Sequence, residues 1–140
     1  MKKLIVLFVL ALLSFGTVEA QRATVYTLAV DTLQGAETVN FEAFKITGDY
    51  NSLVVQALCT QTGGTSDGSL IIKGSVDGVT YTTLNSTDNF LYAYPNDTLT
   101  ITNGASVAWH LTGTPYLYYR VTGTGTSGDS TKVAIKYVYK

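Results

Sequence analysis

The sequence predicts an all-β protein, an antiparallel β-sandwich of jelly-roll type with about eight strands. Three observations lead there. Thr, Val and Tyr are abundant, 21 Thr beyond residue 20 and 10 Tyr in all, and they suit a pleated, half-buried surface. Apolar and polar residues alternate with period two along most of the chain, and no capped stretch shows a helical period. Gly, Asn and Asp recur between the alternating stretches, where turns need them.

The first twenty residues stand apart. Lys2 and Lys3 precede the apolar run Leu4–Phe15, and Val18 and Ala20 occupy the small-residue positions that a signal peptidase requires. Residues 1–20 are therefore expected to be a secretory signal peptide cut between Ala20 and Gln21, and residues 21–140 a single β-sandwich domain. Twelve residues fall short of the roughly 20 that a membrane helix needs, so no stable span is expected after cleavage. The expected location is the periplasm, cell surface, exterior or a virion.

Thr24–Val30 reads as a first strand and Thr38–Ile46 as a second. In the third, Leu53, Val55, Ala57 and Cys59 share one face. The other carries Val54 and Leu58 as well, which predicts cover on both sides. Leu70, Ile72, Gly74 and Val76 lead up to Asp77-Gly78, and Val79 and Tyr81 lead away. Asp-Gly is the preferred pair for a two-residue hairpin, so Asp77 and Gly78 are assigned to a structural turn, with Val79 and Tyr81 among its anchors. Leu99 and Ile101 form the inner side of a further strand, and Val107, Trp109 and Leu111 that of the next. Leu117, Tyr119 and Val121 are expected inside, with Tyr116, Tyr118 and Arg120 outside. Gly123–Ser130 reads as a long, flexible hairpin loop joining the last two strands, and in the last Val133, Ile135, Tyr137 and Tyr139 alternate with lysines.

Composition narrows the function. Nine basic and ten acidic residues become seven and nine once Lys2, Lys3 and Glu19 are removed, and no basic run is present to track a nucleic-acid backbone. Cys59 is the only cysteine, so an internal disulfide is impossible, and its place on an apolar face makes it a core residue. His110 is the only histidine, which leaves little for nucleophilic or zinc chemistry. The acids sit mostly beside Gly, Asn, Ser or Thr, as turn residues do. No catalytic residue, metal site or cofactor is assigned, and the chain is not expected to be an enzyme. The candidate interaction surface comprises Tyr92, Tyr94, Tyr116, Tyr118 and Arg120. It would serve a protein partner, self-association or a surface glycan.

Two sequence resemblances add to this. "TGGTSDGSLIIKGSVDGVTYTTL" (62–84), "TPYLYYRVTGTGTSGDSTKVAIKYVYK" (114–140) and "DTLQGAETVNF" (31–41) resemble small bacteriophage virion proteins. That resemblance implies a structural or decoration protein acting through assembly, and carries over no ligand residues. The N-terminal export segment departs from the pattern. Asp31-Thr32-Leu33, Asp97-Thr98-Leu99 and Asp129-Ser130-Thr131 resemble the O-glycosylation motif of exported Bacteroidota proteins.

Overall fold

The computed structural model describes residues 23–48, 50–64, 67–85, 91–93 (backbone only), 98–113, 115–126, 128 and 130–140. The expected signal segment with Ala20 and Gln21, and also Tyr94, lie outside the described residues. Twelve strand segments are present among the described residues. They are β1 (Tyr26–Thr27), β2 (Asp31–Gln34), β3 (Thr38–Asn40), β4 (Phe44–Lys45), β5 (Ser52–Gly63), β6 (Gly68–Ser75), β7 (Thr82–Thr83), β8 (Leu91–Ala93), β9 (Thr98–Thr100), β10 (Ser106–Thr112), β11 (Tyr118–Gly125) and β12 (Ser130–Tyr139). All described pairings are antiparallel, in two sheets of six segments each.

Joining the broken edges reduces the twelve segments to eight strands plus the short β8, against the eight or so expected. β1 and β2 both pair with β12, but the three residues Leu28–Val30 face only Ala134 and Ile135. β3 and β4 both pair with β11, and the three residues Phe41–Ala43 face only Arg120 and Val121. Each is one edge strand bent by a single-residue bulge, a device that spoils an edge as a template for further pairing. β7 and β9 pair with successive parts of β6, and the chain between them visits the other sheet as β8. Numbering the joined strands in chain order and leaving the short β8 unnumbered, one sheet runs 1-8-3-6, with β8 beyond 6, and the other 2-7-4-5, the order of a jelly roll.

The two inner faces make one core. β5 contributes Leu53, Val55, Ala57 and Cys59, β12 contributes Val133 and Ile135, and β10 contributes Trp109 and Leu111. Facing them are Leu70, Ile72, Tyr119, Val121 and Phe44 of the second sheet. Tyr137 stacks on Phe44 with centroids 4.0 Å apart, joining the sheets through their rings. The hydroxyl of buried Tyr119 bonds with that of Tyr50 and donates to the Tyr116 carbonyl at 3.1 Å, so its polar tip is satisfied.

Several expectations are corrected. β5 is covered on one side only: Gln56 and Thr60 are exposed and Leu58 is 42% exposed, because among the described residues no third layer lies outside this sheet. Leu117 precedes β11 and is 45% exposed, its backbone donating to Ser75 and accepting from Ile46. Tyr116 turns inward instead and packs against the core over Gly74, where a Cβ would lie 2.6 Å from the ring.

The hairpin loop expected at Gly123–Ser130 starts later, because Gly123 and Gly125 belong to β11, and it crosses from one sheet to the other instead of joining paired strands. Both glycines are required by close approach. A Cβ on Gly125 would sit 2.4 Å from the Gly35 carbonyl oxygen, and one on Gly123 3.0 Å from Leu33 and Leu70. Gly125→Ala should therefore destabilise the fold by about 1–3 kcal/mol. In contrast, Gly63→Ala, whose Cβ would meet nothing closer than 3.7 Å, should change stability by less than about 0.5 kcal/mol. Urea denaturation of both variants checks this, and equal effects would contradict it.

Candidate interaction surface

The hairpin after β6 is not a two-residue turn. Gly74 pairs with Thr82, so the connection runs from Ser75 through Tyr81. A side chain, rather than a backbone turn, closes it. One carboxylate oxygen of Asp77, Oδ1, accepts from the Ser75 hydroxyl at 2.8 Å, the Val79 N–H at 2.8 Å and the Thr80 N–H at 2.9 Å. Ser75 Oγ, itself buried, accepts from the Gly78 N–H at 2.9 Å. These donors hold the Asp77 carboxyl down at about 2, from an ordinary 3.8, with the Val79 and Thr80 amides the main cause. Gly78 is needed twice over, for its φ of +77° and because the Tyr118 ring would lie 3.2 Å from a Cβ.

The hairpin displays its apolar residues instead of burying them. Val76 is 61% exposed and Val79 is 81% exposed, so Val79 anchors nothing. Tyr81 does pack, but against an outward-facing cation: the Arg120 guanidinium carbon lies 3.9 Å from its ring centroid.

The candidate residues separate. Tyr118 and Arg120 occupy the outer face of the second sheet, both half-buried. Lys45 pairs with Tyr118 across β4–β11 and places its ammonium 5.4 Å from the ring centroid. Lys73 lies directly opposite Arg120. Tyr92 is in β8 of the other sheet, at the register position facing His110, so it does not join Tyr118. Sequence reading missed Lys45, Lys73 and Tyr81. The alternation in β6 set Lys73 apart from Leu70 and Ile72, but its partner strand lies far away in sequence.

His110 and Cys59, the other groups that could carry chemistry, do not meet. His110 is exposed and its Nε2 lies 2.7 Å from Ser52 Oγ, whereas Cys59 faces the core, where burial pushes its thiol up to about 11. Among the described residues, no group of three or more His, Cys, Asp and Glu side chains could hold a metal ion.

Because Asp77 has a depressed pKa in the fold, its clamp contributes fully above the unfolded value of 3.8 and is lost as pH falls through about 2. Asp77→Ala should lower the melting temperature at neutral pH. The gap from the parent protein should close between pH 4 and pH 2, roughly. A gap that stays constant across that range would contradict the clamp.

No protein-family model matches the chain, and no curated protein matches it either. Solved structures share its fold. The PBSX exported protein XepA superposes with a TM-score of 0.56 at 14% identity, over 83% of this chain and 36% of XepA. The chain thus spans about a third of that protein's length. The Yersinia pseudotuberculosis-derived mitogen superposes with a TM-score of 0.52 at 14% identity, over 84% of this chain and 87% of the mitogen. At these identities the likeness is one of fold: an antiparallel two-sheet sandwich that these proteins hold in common.

Proposed function

We propose that this chain is an exported, non-enzymatic structural or surface-interaction protein, phage-related, that acts by self-association or by contact with a protein partner. The observation that carries the reading is the clamped hairpin. Val76 and Val79 are held in water on a support fixed by Asp77, and Leu117, exposed in turn, donates its N–H to the adjoining Ser75 carbonyl at 3.1 Å. Three apolar side chains kept outward on a preorganised tip gain by being covered, and little ordering entropy opposes their docking. The resemblance of residues 62–84 and 114–140 to bacteriophage virion proteins supports assembly. The basic and apolar N-terminus, and the exported protein that shares the fold, support export.

A second reading, a small carbohydrate-binding module, draws on a different observation. Tyr118 and Tyr81 bring aromatic rings to the outer face of one sheet, each beside a cation. Tyrosine, with its apolar body and polar tip, suits such a face.

Sedimentation velocity of the protein from Gln21 onward should show concentration-dependent assembly. Val79→Asp should shift it to monomer at an unchanged melting temperature. A strictly monomeric parent protein at high concentration contradicts self-association. N-terminal sequencing of the exported product should begin at Gln21, and an intact Met1 would overturn cleavage.

A further inference from the structure

The outer face of the second sheet gathers charge that the sequence disperses. Seven basic residues follow the signal segment, and three of them, Lys45, Lys73 and Arg120, meet here on neighbouring strands. Arg120 and Lys73 are a directly opposed cross-strand pair, both half-buried. Like charges in that position destabilise a sheet. Among the described residues no carboxylate pairs with any of the three. The nearby Asp77 spends its Oδ1 on the hairpin. The Arg120 Nε is buried with no hydrogen-bond partner among the described residues, an unmet donor on a guanidinium already steered by the Tyr81 ring.

We propose that this face binds an anionic polysaccharide, its acid group held by Arg120 and Lys73 and its sugar ring lying by Tyr118 and Lys45. An acid group placed there answers the opposed cations Arg120 and Lys73. Guanidinium and carboxylate or sulfate match in a planar, two-point geometry. Three cations on a net-acidic chain suit a polymer with one charge per sugar. Duplex DNA, with a charge every 1.7 Å or so, calls for a longer basic track. The inference rests on the carbohydrate-binding reading and is independent of self-association.

Calorimetric titration of the protein tests it, with polygalacturonate and sulfated dextran as anionic probes and neutral dextran and oligothymidylate as comparisons. At least one anionic polymer should bind, more weakly as salt rises, and whichever binds better identifies the acid. Arg120→Gln and Lys73→Gln should each weaken binding about tenfold or more. Lys73→Glu is the decisive variant, because it turns an opposed like-charge pair into an ion pair. It should abolish binding and raise the melting temperature, which separates lost recognition from lost folding. Val79→Asp should bind as the parent does.

Unchanged binding in Lys73→Glu and Arg120→Gln would overturn the proposal, as would a preference for oligothymidylate or no binding to either anionic polymer. Binding of neutral dextran as strong as that of the acids, and lost in Tyr118→Ala, would also overturn it while leaving the carbohydrate-binding reading intact.

Discussion

Both sheets depend on one constraint: each is held together by a strand from the far end of the chain. β12 lies between the bulged β1–β2 edge and β5, and β11 lies between the bulged β3–β4 edge and β6. Until the last two strands dock, each in its own sheet, neither N-terminal edge has a partner. No disulfide can substitute, since Cys59 is alone and buried. The seam closes only because the backbones come unusually near. The Gly35 carbonyl rests against Gly125, and the Thr124 carbonyl oxygen would lie 2.4 Å from a Cβ on Gly68. Such long-range pairing makes for slow folding, because loop closure must precede the contacts that reward it.

That framework explains how the hairpin can be exposed and still ordered. The buried Ser75 hydroxyl roots it, Tyr118 packs beneath Gly78, and Asp77 gathers the amides of Val79 and Thr80. Side chains at the tip are thereby free of structural duty. Beside them, the sheet face below carries its cations opposed to each other instead of to carboxylates. The opposed cations cost the isolated molecule some stability. The surface suits the binding or assembly proposed for it, while His110 and Cys59 face opposite sides of their sheet.

Much of this was legible in the sequence. Alternation located β5, β6, β10 and β12 and most of the core, and it placed His110 outside and Cys59 inside. It failed where tertiary contact overrides local pattern. The period-two reading continued through Leu117 because nothing in the sequence shows that β11 starts one residue later. Gly123 and Gly125 look like loop residues, and only the proximity of Gly35 and Leu33 reveals them as strand residues that cannot hold a side chain. Asp77-Gly78 carries a strong local signal for a two-residue turn, yet the Asp77 side chain organises a wider one. The opposed Arg120 and Lys73 were beyond reach, since register between distant strands is not written locally.

The proposed role requires the hairpin to be a preformed surface. Amide hydrogen exchange measures that directly, residue by residue. Val79 is 81% exposed, but its N–H and that of Thr80 are bonded to Asp77, so both amides should exchange far more slowly than those of an unstructured peptide. Exchange of both at unstructured rates would mean a loose loop, and would contradict the account.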